Sequence, residues 1–403
     1  MEQMKQLKNK ADCSACGACL TACPRQAIVM AEDEYGCLYP AIQLEKCIQC
    51  GICERICPYG RDEQAQPPLK AYAAVGRCDA LVQNSASGGV FATLAMACLQ
   101  KGGMVAGAVM DCTEQQVRVY HVLSDRPEDV ERMQGSKYVQ SEAWRCYDDV
   151  CAALKAGRTV LFSGTPCQVA AMKRLSGNPD HLITIDLICH GTPPLRMLDD
   201  YAKILQKRFH GKISGIAFRD KNGEKKYCAR LEFRRKQQMQ TYHLRSQFLS
   251  FYQYFLDRVI LRENCYSCPY AACERVSDMT VGDYWGVEEA HGADMDAGYM
   301  PRRSDWSCIL VHTQKGNELL SSCGHKLELH SSQTKWIVKE NHQLREPSLR
   351  PACRDEVLKA YSRGGYRAVE NHFIRTSGGT ARYYWRLIKE VRTNQRRKKE
   401  PKK

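Results

Sequence analysis

Two short cysteine runs near the amino terminus constrain this chain more than any other feature. The first run has the spacing C-x2-C-x2-C-x3-C-P and ends at Pro24, and the second has the same spacing and ends at Pro58. Corresponding cysteines, such as Cys13 and Cys47, lie 34 residues apart. Three thiols separated by two residues each can converge on one side of a small inorganic centre, whereas the fourth, before proline, faces the other way. The sequence therefore predicts a duplicated module that binds inorganic centres through thiolates.

This spacing is typical of bacterial ferredoxins, in which the fourth cysteine of each run binds the cluster of the other run. We therefore expect residues 1–62 to form a ferredoxin domain with two [4Fe–4S] clusters. One cluster would be bound by Cys13, Cys16, Cys19 and Cys57, and the other by Cys47, Cys50, Cys53 and Cys23. The alternatives are a zinc site or a disulfide framework, but zinc sites pair C-x2-C units across longer gaps. The chain is thus expected to transfer single electrons.

The chain has 403 residues, which is too long for this module alone and predicts one larger domain or two medium ones. No apolar run approaches the roughly 20 residues that a membrane-spanning helix requires. The polar residues before Cys13 do not resemble a secretory signal. We therefore expect the protein to lie in the cytoplasm, where thiols stay reduced. The sequence contains no recognisable nucleic-acid module, so no nucleic-acid partner is expected.

The formal net charge is +14, and much of the excess lies at the carboxyl end. Residues 391–403 contain seven Lys or Arg and one Glu. The simpler interpretation of residues 346–403 is a basic tail with a solvated, disordered end. The alternative is a docking arm for an acidic partner or an anionic membrane surface, because residues 382–389 could form a basic amphipathic helix.

A second region, predicted to span 71–156, follows a proline-containing linker at 63–70. Ser87, Gly88 and Gly89 precede an expected helix that begins at Val90, between strands expected at 71–76 and 104–110. A Ser/Gly turn that opens a helix directs free backbone N–H groups to one point, which suits the pyrophosphate of a dinucleotide. Helix capping explains such a turn equally well. Lys137 could supply a phosphate contact, although a lone lysine in a loop is usually solvated.

The third region, predicted to span 157–345, begins with a strand–helix–strand unit. A buried strand at 158–163 ends before Cys167, and a second strand at 182–188 ends before Cys189. Ligands of open α/β sheets bind at this edge, beyond the carboxyl ends of the strands. The sheet could therefore bring the two cysteines together. Further on, Asn222-Gly223 predicts a hairpin between strands at 213–219 and 227–234.

Cys265 and Cys268 form a C-x2-C pair later in the same region. Two thiols cannot complete a cubane, but together with Cys167 and Cys189 they would supply the four ligands of a third [4Fe–4S] cluster. Cys273 is the rival fourth ligand. A redox-active cysteine pair or a small zinc site is the alternative interpretation of this pair.

These motifs, in this order, resemble the beta subunits of coenzyme F420-reducing hydrogenases and dehydrogenases, in which a ferredoxin module is a common amino-terminal companion. The resemblance covers about residues 69–290. It rests on the segments Ser87-Gly88-Gly89, Phe162-Ser-Gly-Thr-Pro-Cys167-Gln168, Asp186-Leu-Ile-Cys189-His190-Gly191, Cys265-Tyr-Ser-Cys268 and Gly282-Asp283-Tyr284-Trp285-Gly286.

The resemblance implies a bound FAD and a [4Fe–4S] cluster beside it. The FAD would contact Ser87, Gly88, Gly89, Lys137, Ser163, Gly164 and Thr165, and the cluster would use Cys167, Cys189, Cys265 and Cys268. Cys273 has no counterpart in the family pattern. The expected fold class is α+β: the ferredoxin module is followed by an α/β flavin-binding catalytic region with a mixed sheet.

A flavin can exchange both single electrons and hydride, so it belongs between iron–sulfur clusters and an organic substrate. We expect an oxidoreductase that passes electrons between a ferredoxin-type partner, its clusters and FAD, with coenzyme F420 or another small molecule as hydride donor or acceptor. His190 and Asp283 are candidates for proton delivery, and structural roles suit them equally. One alternative is an electron-transfer subunit that docks on a partner oxidoreductase and holds no substrate. Another is a thiol enzyme with Cys167 or Cys268 as nucleophile.

Overall fold

The structure of the protein is a computed structural model that describes residues 4–59, 65–113, 115–221 and 227–397. Its strands are β1 (Met4–Gln6), β2 (Ile28–Glu32), β3 (Leu38–Gln43), β4 (Lys70–Gly76), β5 (Met104–Cys112), β6 (Val117–Ser124), β7 (Val160–Gly164), β8 (Leu182–Leu187), β9 (Lys212–Ala217), β10 (Cys228–Arg235), β11 (Gln238–Arg245), β12 (Met279–Asp283), β13 (Ser307–Val311) and β14 (Leu327–Ser332). Its α-helices are α1 (Ala18–Thr21), α2 (Ile52–Arg55), α3 (Asp79–Gln83), α4 (Val90–Gln100), α5 (Pro127–Met133), α6 (Tyr147–Lys155), α7 (Pro166–Ser176), α8 (Leu195–Phe209), α9 (Ser250–Leu256), α10 (Val287–Asp296), α11 (Gln314–Ser322), α12 (Thr334–Glu340), α13 (Arg354–Thr376) and α14 (Thr380–Arg397).

The amino-terminal module repeats its backbone conformation with the period of the cysteine runs. α1 and α2 each follow a glycine in the left-handed region, Gly17 with φ of 86° and Gly51 with φ of 69°. Ala15 and Gln49, two residues earlier in each run, also have positive φ, at 48° and 56°. These are the tight turns that fold short cysteine loops back on themselves. The predicted duplication is therefore visible in the backbone, and β1, β3 and β2 form an antiparallel sheet beside it.

The larger part of the chain is built around an eight-stranded mixed sheet in the order β14-β4-β13-β12-β8-β7-β5-β6. β5, β7, β8 and β12 pair in parallel, whereas the outer strands pair antiparallel. β4, from the region predicted at 71–156, lies between β14 and β13 of the region predicted at 157–345, so the two regions build one layer. The predicted fold class, a ferredoxin module followed by an α/β region with a mixed sheet, is confirmed.

The carboxyl ends of β7, β8 and β12 lie at the same edge of this sheet because the three strands are parallel neighbours. β7 leads into α7, which begins at Pro166 with Thr165 and Gln168 forming a capping box. Cys167 therefore lies in the first turn of this helix and not in a loop. Three segments with predicted functional residues therefore meet at one edge.

A smaller sheet, β11-β10-β9, packs with α8, α9, α13 and α14 around a second apolar core. β9 and β10 pair antiparallel as the hairpin prediction requires, while the Asn222-Gly223 turn lies outside the described residues. Within the region predicted as a basic tail at 346–403, residues 354–397 form α13 and α14, and α14 includes the amphipathic helix considered at 382–389. Buried side chains of both helices, such as Phe373 and Tyr383, belong to this core, so packing fixes both helices.

The linker between the two parts is anchored where the structure describes it. The backbone of Gln66 exchanges two hydrogen bonds with that of Arg275, at 2.8 and 3.0 Å. A ring nitrogen of His312 contacts the Gln66 carbonyl oxygen at 3.0 Å. Residues 65–69 thus connect the ferredoxin module to the large sheet along a defined path. In the described part of the chain, no helix is both long and apolar enough to cross a bilayer.

Candidate functional site

The first thiol group comprises Cys13, Cys16, Cys19 and Cys57, the set that the sequence predicts for one cluster. Burial raises the pKa of the Cys19 thiol to about 12, and the neighbouring thiols of Cys13, Cys57 and Cys53 contribute to this rise. Burial also raises the pKa of the Cys13 thiol, which has Cys57 as a neighbour, and of the Cys16 thiol, which has Cys19 and Cys13 as neighbours. The structure therefore brings these four thiols together.

The second thiol group comprises Cys23, Cys47, Cys50 and Cys53 and lies nearer the surface. Cys50 is exposed, and the other three are partly buried. Burial raises the pKa of the Cys53 thiol, and the Cys47 thiol is one of its neighbours. The influence of Cys53 on Cys19 shows that the two groups adjoin. Binding of one cluster by all four of these cysteines remains a prediction.

The third thiol group comprises Cys167, Cys189, Cys265 and Cys268, which come from three distant parts of the chain. Burial raises the pKa of the Cys189 thiol, and the neighbouring thiols of Cys265, Cys167 and Cys268 raise it further. Burial raises the pKa of the Cys268 thiol to about 12, and the neighbouring thiols of Cys167 and Cys265 contribute to this rise. Gly191 allows this approach: a Cβ at this position would lie 3.0 Å from the Cβ of Cys265.

Cys273, the rival ligand, is not part of the third thiol group. The charged groups that influence its thiol are Glu274 and Arg275, and none of the other cysteines does so. Its side chain packs with Ile188 against a separate apolar cluster beside the large sheet. The structure therefore separates Cys273 from the four thiols that it brings together.

The third thiol group suits a polynuclear iron centre. Its four thiols are neighbours whose ionised forms would repel one another in a buried site. Iron ions would supply the positive charge that four thiolates need, and four cysteines are the ligand set of a [4Fe–4S] cluster. The residues present therefore fit such a cluster.

The first and third thiol groups face each other across the contact between the ferredoxin module and the large sheet. The thiol of Cys167 influences the ionisation of Cys16. Tyr270 lies between them. Burial raises the pKa of its hydroxyl, and the neighbouring thiols of Cys167, Cys16 and Cys268 raise it further. Its hydroxyl donates a 3.0 Å hydrogen bond to the Pro58 carbonyl oxygen. A cluster bound by the first thiol group would therefore have a cluster bound by the third thiol group as its neighbour.

Arg262 is the buried cation at this contact. Its side chain is 1% exposed, and its guanidinium lies 4.4 Å from the ring centroid of Tyr39. The guanidinium donates hydrogen bonds to the side chain of Gln140 at 2.8 Å and to the Cys13 carbonyl oxygen at 3.3 Å. The thiols that it influences include Cys13 of the first group and Cys265 of the third. One permanent positive charge thus lies between the two thiol groups.

A cavity of about 290 Å³ adjoins the third thiol group at the carboxyl edge of the large sheet. Its wall includes most of the residues predicted to contact FAD and both predicted proton-transfer residues: Ser87, Gly89, Lys137, Ser163, Gly164, Thr165, His190 and Asp283. Cys189 of the third thiol group also lines it. A molecule bound in this cavity would therefore touch a residue of the third thiol group.

Gly88 departs from the prediction because it lies behind the cavity wall. Its backbone N–H donates a 2.8 Å hydrogen bond to the Ser307 hydroxyl. A Cβ at this position would lie 2.6 Å from the carbonyl oxygen of Ala74. Glycine is therefore required here for close packing of the turn against β4 and β13.

Lys137 lines the cavity, but its ammonium group already has partners. It donates hydrogen bonds to the carbonyl oxygens of Arg132, Met133 and Gln134, at 3.0, 2.7 and 2.8 Å. Burial lowers its pKa to about 7. Since an ammonium group has three donors, all of them are used to cap α5. This arrangement favours a role in shaping the cavity wall over a direct phosphate contact.

The two predicted proton-transfer residues differ in their surroundings. Burial, assisted by the positive charge of Arg258, lowers the pKa of His190 to about 4, so its ring is neutral near pH 7. The carboxylate of Asp283 accepts a 2.8 Å hydrogen bond from Arg219 in a half-buried ion pair. Arg219 also lies 5.7 Å from the ring centroid of Trp285, so the pair stiffens one side of the cavity.

His121 is a residue of the cavity wall that the sequence did not reveal. Its ring is 2% exposed, and Nε2 lies 3.0 Å from the Ser163 carbonyl oxygen. A carbonyl can only accept, so Nε2 carries the hydrogen. Burial lowers the pKa of His121 to about 4, which leaves Nδ1 as an acceptor. Among the described residues Nδ1 is buried and has no partner, and the residue belongs to the cavity wall.

Comparison with protein families supports the division of the chain. Residues 12–61 match the 4Fe-4S dicluster domain. Residues 71–145 match the amino-terminal domain of the coenzyme F420 hydrogenase/dehydrogenase beta subunit, and residues 157–335 match its carboxyl-terminal domain. The matches follow one another in the order that the sequence motifs indicated.

Individual relatives are distant. An uncharacterized protein of Methanocaldococcus jannaschii is 25% identical over 256 residues, which cover 51% of this chain and 67% of the relative. One subunit of the F420H2 dehydrogenase of Methanosarcina mazei is 28% identical over 193 residues, covering 44% and 53%. The chain thus spans between half and two thirds of these relatives. A solved chain of the F420-reducing [NiFe] hydrogenase complex from Methanosarcina barkeri has a TM-score of 0.46 and 15% identity, covering 75% of this chain and 96% of that chain.

Proposed function

Because this chain belongs to the family of coenzyme F420 hydrogenase/dehydrogenase beta subunits and carries an amino-terminal 4Fe-4S dicluster domain, we propose that it is an iron–sulfur flavoprotein oxidoreductase. In this proposal electrons pass between a redox partner, three [4Fe–4S] clusters and FAD. Coenzyme F420 or another small molecule donates or accepts the hydride. The relative that is part of a dehydrogenase supports this reaction class.

One observation carries the proposal. Cys189 is both a member of the third thiol group and a residue of the cavity wall. A cluster bound by that group and a flavin bound in the cavity would therefore be in contact through one residue, without a protein layer between them. Electron transfer over such a short distance needs no further carrier. The first thiol group would complete the path, since Cys16 and Cys167 are neighbours.

The proposed cluster ligands are the twelve cysteines of the three thiol groups. They are Cys13, Cys16, Cys19 and Cys57 for the first cluster, Cys23, Cys47, Cys50 and Cys53 for the second, and Cys167, Cys189, Cys265 and Cys268 for the third. The second group is the proposed entry point for electrons, because Cys50 is exposed and the neighbouring Ile48 is 61% exposed. A ferredoxin or another redox protein would dock there.

The proposed FAD site is the 290 Å³ cavity. When bound, FAD would supply the conversion between single-electron and hydride transfer. Ser87, Gly89, Ser163, Gly164 and Thr165 would contact it, since all five line the cavity. Lys137 would hold this wall through the end of α5. We propose that the unpaired Nδ1 of His121 accepts a hydrogen bond from an N–H donor of the bound ligand.

His190 is the proposed proton-transfer residue, because it lines the cavity next to Cys189. It would hold or release a proton at a ring nitrogen. Asp283 is the second candidate. One of its carboxylate oxygens is bonded to Arg219, which leaves the other for a proton or a substrate hydroxyl.

The exposed second thiol group also favours a second candidate function: an electron-transfer subunit that passes electrons to a partner and holds no substrate itself. The decisive experiment is to measure iron, acid-labile sulfide and flavin per chain in anaerobically purified protein. The flavoenzyme predicts about 12 iron, about 12 sulfide and one FAD, because each cubane contains four of each atom. About 12 iron without flavin would favour the electron-transfer subunit. About 8 iron without flavin would refute both the third cluster and the flavin site.

A further inference from the structure

The last helix exposes large apolar side chains that the rest of the chain does not cover. Trp385 is 65% exposed, Ile388 49% and Tyr384 37%. On a helix, residues three and four positions apart lie on one side, so Ile388 adjoins both aromatic residues. We call Tyr384, Trp385 and Ile388, with the basic residues around them, the outer face of α14.

The exposure of this face does not reflect a loosely attached helix. Tyr383 and Leu387, on the opposite side of α14, are 2% and 5% exposed and belong to the core of the smaller sheet. The Tyr383 hydroxyl donates a 2.8 Å hydrogen bond to the Phe248 carbonyl oxygen. α14 thus has two apolar sides, one packed and one directed away from the molecule.

Positive charge borders the outer face. α14 contains six Lys or Arg residues and one acidic residue, Glu390. Glu390 is turned away from the outer face, because both its carboxylate oxygens accept 2.9 Å hydrogen bonds from Arg245. Lys389 lies over the ring of Trp385, at 5.4 Å from its centroid. The exposed apolar side chains therefore have cations, and no free carboxylate from their own helix, beside them.

The positive border extends beyond the helix. A groove between α13 and α14 reaches Tyr384, and its wall contains Lys359, Arg363 and Arg375. Glu356, the acidic residue of the same groove, is paired with His372 and Arg375. Basic side chains thus surround the exposed aromatic residues on more than one side.

From these observations we propose that the outer face of α14 binds the surface of an anionic lipid membrane. Trp and Tyr settle at the level of the lipid headgroups, where their rings are apolar and their polar ends stay hydrated. An amphipathic helix with such residues and a basic border lies in that interface. Each Lys or Arg close to the surface adds attraction to anionic lipids. The protein would thus be a peripheral membrane protein, attached by one helix that lies parallel to the bilayer surface.

The test is co-sedimentation of the full-length, anaerobically purified holoprotein with vesicles. Vesicles of phosphatidylcholine alone are compared with vesicles that also contain phosphatidylglycerol, at low and physiological salt. We expect binding to the anionic vesicles, weakened by salt, and a blue shift of tryptophan fluorescence. The paired change Trp385→Ser and Ile388→Ser should reduce binding at least tenfold, and each of Lys389→Gln and Arg392→Gln about fivefold.

Tyr299 provides the matched control, since its aromatic side chain is 78% exposed but lies between α10 and β13. Tyr299→Ser should leave binding unchanged. These exposed positions carry little packing, so unchanged circular dichroism and iron content should accompany all variants. Failure of the wild-type protein to bind anionic vesicles would overturn the proposal, as would equal binding by the Trp385→Ser, Ile388→Ser variant. Binding to an acidic protein but to neither type of vesicle would assign this face to a protein partner and overturn it too.

Discussion

Replacement of Arg262 by methionine should lower the reduction potentials of the first and third clusters and leave that of the second cluster unchanged. Reduction adds one negative charge to a cluster, and a nearby buried cation stabilises that charge. Arg262 influences thiols of the first and third groups, Cys13 and Cys265. For a separation on the order of 8 Å and an effective dielectric constant of about 20, Coulomb's law gives about 2 kcal/mol. That corresponds to a shift of roughly 90 mV for one electron.

The assay is a potentiometric titration of the anaerobic holoprotein, monitored by electron paramagnetic resonance. Methionine preserves much of the apolar stem of Arg262, but the side chain of Gln140 and the Cys13 carbonyl oxygen lose a donor, so iron content must first be shown to be complete. Arg350→Met is the matched control: this arginine is partly exposed and pairs with Glu263 and Asp355 at the surface, where solvent screens its charge. Unchanged potentials in a fully loaded Arg262→Met variant would refute the reasoning. An equal shift of all three clusters would refute it too.

Three further predictions concern single residues of the site. His121→Phe removes the unpaired acceptor but keeps an aromatic ring, so the Kd for FAD should rise about tenfold. The Kd is measured by titrating the flavin-free protein with FAD, and an unchanged value would exclude a contact through Nδ1. Cys268→Ser should reduce iron from about 12 to about 8 per chain, whereas Cys273→Ser should not change it; the reverse result in an iron and sulfide assay would make Cys273 the ligand. Tyr270→Phe removes the hydrogen bond to Pro58 and should lower the free energy of unfolding by about 1 kcal/mol. Urea denaturation of the holoprotein would check this value, and an unchanged midpoint would contradict it.

Much of the architecture could be predicted because it depends on short-range patterns. The expected helix from Val90 is α4, and the strand expected at 104–110 is β5. The 34-residue repeat of the cysteine runs reappears in the left-handed glycines before α1 and α2. Errors came where local pattern and tertiary packing compete. α14 is rich in charge and was expected to have a disordered end, yet Tyr383 and Leu387 attach it to the core.

The candidate site divides along the same line. Sequence spacing by itself determined the ferredoxin module, because neighbouring cysteines in short loops have few ways to arrange their thiols. It also determined that Cys167 and Cys189 lie at one sheet edge, since they follow parallel strands. Only the tertiary structure decided that Cys265 and Cys268 join them while Cys273 does not, because no local pattern fixes where a distant loop packs.

Long-range packing also decided the features that give the site its electrostatics. Arg262 and His121 lie in no motif, and each gains its role only by burial beside groups more than 40 residues away in sequence. Gly88, within a motif, proved to serve the packing of β4 and β13. Spacing along the chain fixes which donors can share one short loop. Burial, the direction of a hydrogen bond and the distance between charges depend on contacts between segments, and those exist only in the folded molecule.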